Sequence, residues 1–202
     1  MADAGRVIAG TARGVRLAAP GDGTRPLGDR VKQTLFGILE PRLEDARVAD
    51  LYAGSGAGAI EALSRGAASA VLVEKDPGAC RTIADNLRRA HLDDRARVVR
   101  RDVIAWLADP AGAAADGPFD VVLADPPYAD TQGLTRALEL VGPHLATDAV
   151  VVAKHFWRDA PPPRVGMLAV ERDRRFGETA LTFYRPAADR ADRPQDEEAG
   201  EA

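Results

Sequence analysis

The sequence predicts an α/β protein with a Rossmann-like, doubly wound and mostly parallel sheet that ends in an antiparallel C-terminal strand pair. Three observations predict this fold class. Near-continuous apolar runs alternate with helix-like stretches between residues 48 and 153, as is typical of parallel strands buried on both faces. A glycine-rich turn follows the first run. Two strand-like segments, 167–171 and 180–184, lie near the C-terminus with no evident helix between them.

The individual elements follow from hydrophobic periodicity and from helix start and stop signals. A small N-terminal extension is predicted to contain a hairpin, residues 6–9 and 14–17, and a helix at 30–39. The predicted parallel strands are 48–53, 70–74, 97–100, 119–124 and 149–153, and the predicted helices between them are 59–65, 76–90, 103–107 and 134–141.

The composition narrows the class of protein. With 202 residues, 46% hydrophobic and 29% charged, the chain can bury a core, which excludes a mostly disordered chain, a coiled coil and a disulfide scaffold. Cys80 is the single cysteine, and no stretch resembles a signal peptide or a membrane span. We therefore expect a cytoplasmic protein. No His/Cys cluster suggests a metal, and nothing requires more than a monomer.

The formal net charge of −4 is unevenly distributed. Residues 1–32 carry six basic and three acidic side chains, whereas residues 186–202 carry two arginines and six acids. We predict three parts: a small basic N-terminal extension (1–45), a central α/β domain (46–185) and a disordered acidic tail (186–202). A tail that competes with RNA for the basic extension is the alternative.

The segment DLYAGSGAG at residues 50–58 lies where a strand turns into a helix. Glycines let the backbone approach a ligand, and the following helix offers free N–H groups. Asp50, just before the turn, could bind an ammonium group. It would repel a pyrophosphate, so the pattern favours S-adenosylmethionine over NAD.

Acids after the next two strands strengthen this prediction. Glu74 lies 20 residues after Gly54, where an acid can accept hydrogen bonds from both ribose hydroxyls. Asp102 could accept from an adenine amino group while the Val103 amide reaches a ring nitrogen. A solvated strand end or a helix cap is the alternative for each acid. The candidate cofactor residues are Asp50, Ala53, Gly54, Ser55, Gly56, Glu74, Lys75, Asp102, Val103 and Asp125.

The tetrapeptide Asp125-Pro126-Pro127-Tyr128 follows the fourth predicted strand and is the candidate catalytic group. Two prolines stiffen the backbone and remove two donors, which leaves the Asp125 carboxylate and the Pro126 carbonyl as acceptors beside an aromatic ring. Such a group suits a planar base with an exocyclic amine. A rigid loop that only ends a strand is the alternative.

Basic residues before the glycine loop could hold RNA phosphates around a presented base. They are Arg6, Arg13, Arg16, Arg25, Arg30 and Lys32. A solvated surface is the alternative. Phe156 and Trp157, after the fifth predicted strand, could add stacking or could pack in the core.

Five segments together carry a resemblance to a known family: RVIAGTARGVRL (6–17), TRPLGDRVKQTLF (24–36), DLYAGSGAGAIEALSR (50–65), DPPY (125–128) and FGETALTFY (176–184). They resemble the RsmD family, methyltransferases that modify a guanine N2 in bacterial small-subunit rRNA. The resemblance covers about residues 6–185. It implies that the residues named above hold S-adenosylmethionine and the target base, and that Arg25, Asp29 and Arg30 help to cover the cofactor.

Two positions depart from the family pattern. Leu27-Gly28 replaces a threonine pair, or threonine with a small residue, and Lys154-His155 stands where the family often has a glutamate. The resemblance implies methylation of a guanine N2 in 16S rRNA within the small subunit. Adenine N6, another RNA or DNA, and a non-catalytic cofactor-binding RNA chaperone stay open as alternatives.

Overall fold

The computed structural model describes residues 3–21, 28–109 and 111–187. Its strands are β1 (Asp3–Arg6), β2 (Arg16–Ala18), β3 (Arg47–Leu51), β4 (Ser69–Glu74), β5 (Ala96–Arg100), β6 (Phe119–Ala124), β7 (Leu145–Phe156), β8 (Arg164–Val165), β9 (Leu168–Phe176) and β10 (Thr179–Pro186). Its α-helices are α1 (Asp29–Leu39), α2 (Ala57–Ser64), α3 (Pro77–Ala90), α4 (Val103–Leu107) and α5 (Thr131–Val141). Among the helices of these ranges, none is long and apolar enough to cross a bilayer.

Strands β3 to β10 form one sheet in the order β5-β4-β3-β6-β7-β10-β9-β8. The first five are parallel, and β10, β9 and β8 extend the sheet in antiparallel pairs. The chain moves outward from β3 to β5 and then returns to β6 on the other side of β3. Open α/β sheets bind ligands at such a reversal, outside the carboxyl ends of the strands. The predicted fold class is confirmed.

Each face of the sheet carries its own buried core because successive strand residues point to opposite faces. Val48 packs with α2, α3 and the N-terminal extension, whereas its neighbour Ala49 packs with α4 and α5. The near-continuous apolar runs seen in the sequence are therefore the signature of a sheet covered on both sides.

The N-terminal extension is fastened to α2 and α3 by buried polar side chains. The Glu61 carboxylate accepts from the amides of Ile8 (2.8 Å) and Ala9 (3.1 Å), and Asn86 exchanges two 2.9 Å bonds with the Ala18 backbone. At Gly10, which has a φ of +82°, a Cβ would lie 1.7 Å from the Ser64 carbonyl oxygen. Only glycine can occupy this crossing.

Several predicted boundaries change. The hairpin strands lie further out than 6–9 and 14–17, although Val7 and Val15 continue the pairing through a 2.9 Å backbone bond. Helix α5 begins at Thr131 because the Asp130 side chain caps it by accepting from the Gly133 amide. Strand β7 extends past the predicted 149–153 because β10 pairs with it as far as Phe156.

The antiparallel C-terminal pair is present as β9 and β10, and the short β8 was not predicted. The predicted tail begins inside the fold, since Pro186 pairs with Leu168 and the Ala187 amide donates to the Met167 carbonyl. The rest of the predicted tail, residues 188–202, lies outside the described residues, as does Arg25.

Candidate cofactor and base-binding site

A cavity of about 710 Å³ opens at the carboxyl ends of the parallel strands. Residues of the N-terminal extension, among them Pro20 and Leu35, form part of its wall. The candidate residues that line it are Asp50, Ala53, Gly54, Ser55, Glu74, Lys75, Asp102, Val103 and Asp125 to Tyr128. The fold therefore brings together side chains that lie up to 78 positions apart in the chain.

Three residues of the glycine loop after β3 adopt left-handed conformations: Tyr52 (φ +64°), Gly54 (φ +55°) and Gly56 (φ +77°). Gly54 faces the cavity. Gly56 does not line it: a Cβ there would lie 3.1 Å from Leu72 and 3.3 Å from Ile83. Gly56 therefore serves the turn and the close packing of α2, and its predicted direct contact with the cofactor has no support in the geometry.

Asp50 lies on β3 at the base of the cavity and is 5% exposed. One carboxylate oxygen, Oδ2, accepts from the Ala59 amide in the first turn of α2 at 2.9 Å. The pKa of Asp50 is raised to about 7, chiefly by burial and also by the charges of Asp125 and Glu74, while the bond from the Ala59 amide opposes the rise. A cationic ligand group at this position would offset that desolvation and stabilise the ionised form.

The other two candidate acids also have structural bonds. Glu74 accepts from the amides of Gly54 and Asp76, both at 2.9 Å, so it ties the glycine loop to the end of β4. Asp102 is exposed and caps α4 by accepting from the Ala105 amide at 3.1 Å. A carboxylate oxygen has two lone pairs, so these bonds leave acceptor capacity directed at the cavity.

The tetrapeptide after β6 is held from both sides. The Pro127 carbonyl accepts from the Asp130 amide at 2.8 Å and closes the turn. The Tyr128 hydroxyl bonds the Thr179 hydroxyl of β10 at 2.7 Å. Pro126 is buried and Pro127 is exposed. The Tyr128 ring is thus fixed at the cavity mouth beside the two acceptors that the sequence indicates.

From the sequence, Lys154 of β7 could lie at the mouth of the site because it departs from the family pattern, but it was not among the predicted site residues. Its Nζ lies 2.8 and 2.9 Å from the two carboxylate oxygens of Asp125 and 5.3 Å from the Tyr128 ring centroid. Burial raises the pKa of Asp125, and the Lys154 ammonium opposes that rise. Its departure from the family pattern was visible in the sequence, but its partner was not, because β6 and β7 come together only in the folded sheet.

The basic residues of the N-terminal extension are only partly available to RNA. Lys32 is fully buried, donates to the Arg6 carbonyl at 2.5 Å and has its pKa lowered by burial, so it cannot reach a surface phosphate. Arg6 lies 3.5 Å from Asp29, and Arg16 lies 3.5 Å from an Asp3 carboxylate oxygen. Arg13 and Arg30 are exposed.

The order of strands, the glycine loop after β3 and the cavity at the carboxyl ends place the protein in the class of Rossmann-like methyltransferase folds. A hypothetical protein from Thermus thermophilus shares this fold with a TM-score of 0.76 and 37% identity, over 89% of this chain and 98% of that one.

Sequence comparison identifies the family. The model of the family described as "Conserved hypothetical protein 95" matches residues 5–185, and the chain belongs to this family, the RsmD family. The chain is 37% identical over 183 residues to a Bacillus subtilis protein named "Putative rRNA methyltransferase YlbH", covering 89% of this chain and 98% of that protein. It is 33% identical over 187 residues to "Ribosomal RNA small subunit methyltransferase D" of Escherichia coli K12, covering 91% of this chain and 90% of that protein.

Proposed function

We propose that the protein transfers a methyl group from S-adenosylmethionine to the exocyclic N2 amine of a guanine in 16S rRNA, presented by the small ribosomal subunit. The observation that carries this proposal is the pair of acceptors at the cavity mouth, the Asp125 carboxylate and the Pro126 carbonyl, beside the fixed Tyr128 ring. The names of the relatives support rRNA as the substrate.

The polar groups that line the cavity fit S-adenosylmethionine. Asp50 would hold the amino-acid ammonium, Glu74 the ribose hydroxyls, and Asp102 with the Val103 amide the adenine. A Cβ on Gly58 would lie 2.9 Å from Asp50 Oδ2 and 2.8 Å from Leu123, so the helix start must be free of side chains for Asp50 to approach it. When bound, this cofactor supplies an electrophilic methyl group on a sulfonium.

The chain's own residues orient and activate the amine. An exocyclic amine is a weak nucleophile because its lone pair is delocalised into the ring. Two acceptors on its hydrogens draw the nitrogen toward tetrahedral geometry and free that lone pair. Asp125 also stabilises the positive charge that develops on the nitrogen, and Tyr128 stacks on the base. Catalysis of this kind rests on positioning and preorganised charge.

The experiment that tests this function supplies labelled S-adenosylmethionine with unmethylated small subunits, naked 16S rRNA or DNA, and maps the product by mass spectrometry. We expect label on a guanine N2, with intact subunits as the best substrate. Label on adenine N6, or on DNA alone, would contradict the base assignment, because the same two acceptors suit an adenine amine. Cofactor binding with no label on any substrate would favour the RNA chaperone instead.

A further inference from the structure

A line of aromatic side chains leads away from the tetrapeptide. The Tyr128 ring centroid lies 6.3 Å from that of Phe156, and the Phe156 centroid lies 6.3 Å from that of Trp157. Phe156 ends β7 and Trp157 follows it, and both side chains are half-buried. The rings therefore extend the base-binding mouth toward the surface of the antiparallel strands.

Arginines surround the outer end of this line. The Cζ atoms of Arg175 and Arg158 lie 3.6 and 4.8 Å from the Trp157 ring centroid. Arg174 stands in one cross-strand row with Leu181 and Lys154, both of which line the cavity. Among the residues that the structure describes, Arg158, Arg174 and Arg175 form no ion pair, in contrast to Arg6.

Acids in the same segments limit the long-range charge of this surface. The Asp173 carboxylate accepts from the Thr182 hydroxyl at 2.6 Å, whereas Asp159 and Glu178 are exposed. A ligand here must be recognised through local stacking and close arginine contacts, because the surface has little excess positive charge. This combination suits a nucleic acid strand with unstacked bases.

We propose that this aromatic–arginine surface, formed by Phe156, Trp157, Arg158, Arg174 and Arg175, binds the single-stranded RNA that flanks the target base. A flanking base stacks on the Trp157 ring and its arginines, and Arg174 contacts a phosphate. This proposal rests on the proposed function. It adds an RNA-binding element in the C-terminal part of the chain, whereas the basic extension is N-terminal. Phosphate contacts of this type fix register, while stacking tolerates many sequences.

Intrinsic fluorescence gives a direct binding test. The chain has two tryptophans, and Trp106 is 1% exposed, so a stacked base should quench chiefly Trp157. We expect a short oligouridine to quench the emission of the full-length protein and inorganic polyphosphate to leave it unchanged. Equal quenching by both polyanions, or no quenching by the oligouridine, would overturn stacking on Trp157.

Kinetics with unmethylated small subunits test the role in catalysis. Trp157→Ala should raise KM about tenfold, as the loss of one base stack does, with kcat and cofactor affinity unchanged, and Trp157→Phe should restore most of the affinity. Arg174→Ala should reduce the salt dependence of binding by a slope of about 0.7, one phosphate contact on a single strand. The matched controls are Met167→Ala, an apolar side chain 55% exposed, and Arg88→Ala, an arginine 66% exposed on α3.

The outcomes separate the two proposals. An unchanged KM in Trp157→Ala, or the same loss in Met167→Ala, would overturn the RNA-binding surface while methylation itself stands. If Trp157→Ala weakens binding and turnover with intact subunits but neither with naked RNA, the surface contacts a ribosomal protein, and the RNA-binding proposal is also overturned. Quenching by oligouridine in a wild-type protein that methylates no substrate would support the surface and contradict the proposed function.

Discussion

Replacing Lys154 by methionine should move the acid limb of the methyl-transfer pH profile to higher pH. Asp125 must be ionised to accept from the amine and to stabilise developing positive charge. Burial raises the pKa of Asp125, and the Lys154 ammonium, 2.8 Å away, is the group that opposes the rise. Methionine keeps the length and apolar stem of lysine but removes its charge.

The magnitude follows from the exposure of the pair. The side chains of Lys154 and Asp125 are 12% and 30% exposed, so the pair is neither fully buried nor at the surface. Removing one partner costs about 3–5 kcal/mol in a buried pair and about 0.2–1 kcal/mol in an exposed one. An intermediate loss of about 2 kcal/mol, a factor of about 30 in an equilibrium constant, therefore favours the protonated form of Asp125 in Lys154→Met and raises its pKa further.

The assay is the initial rate of methyl transfer to small subunits at saturating cofactor and substrate, measured across the pH range in which circular dichroism shows a folded protein. Lys154→Arg is the control, since it keeps a cation beside Asp125. We expect Lys154→Met to approach the wild-type rate only at high pH and Lys154→Arg to keep the wild-type acid limb. An acid limb that stays in place in Lys154→Met would refute the argument, and so would an equal shift in both variants.

Four further predictions test other parts of the molecule. Asp125→Ala should lower kcat about a hundredfold or more with cofactor affinity, measured by calorimetry, within a few fold. The pKa of Asp50 is raised from 3.8 to about 7 in the folded protein, so the unliganded protein should lose stability to denaturant as the pH rises from about 4 to about 7. Cofactor affinity should instead rise with pH through 7, because the ionised carboxylate binds the ammonium. This pH dependence should disappear in Asp50→Asn. Gly10→Ala should lower the free energy of unfolding in urea by at least about 3 kcal/mol, because a Cβ there combines a positive φ with a clash against Ser64. Gly14→Ala is the control and should cost only about 1 kcal/mol, because Gly14 also has a positive φ but nothing lies within 4 Å of a Cβ. Removal of 188–202, which takes away a net charge of −4, should preserve activity or raise it slightly at low salt, and a complete loss in the methylation assay would contradict the predicted tail.

Local patterns were sufficient to predict the parallel half of the sheet. The strand at 119–124 and the helix at 103–107 have the predicted bounds, because turns and caps that are visible in the sequence end them. The C-terminal end of β7 was missed, since it becomes a strand only by pairing with β10. Long-range pairing of this kind carries no local signal.

The candidate site was predictable to the extent that it consists of strand ends. The switch point at β3 brings Asp50, Glu74 and Asp125 to one cavity, as parallel topology requires. The identity of each side chain's partner was not predictable. Lys32 stands in the sequence as a free cation near other basic residues, yet it is buried against the Arg6 carbonyl. The sequence alone does not show which charged side chains are buried or paired in the folded protein.

The distribution of charge in the folded protein explains how an acidic chain can serve an anionic substrate. The cavity holds Asp50, Glu74, Asp102 and Asp125 and suits a cationic cofactor, while Lys154 compensates the one acid at the mouth. The arginines beside Trp157 do not line this cavity: Arg158 lies in the turn after β7, and Arg175 lies on the antiparallel strand β9. Interactions between exposed charges decay over a Debye length of about 8 Å at physiological salt, which limits the repulsion between the acids of the cavity and an RNA strand at the rim. The sign of the net charge is therefore uninformative about the partner, and the separation of acidic cavity from arginine-rich rim is the property that allows both ligands to bind.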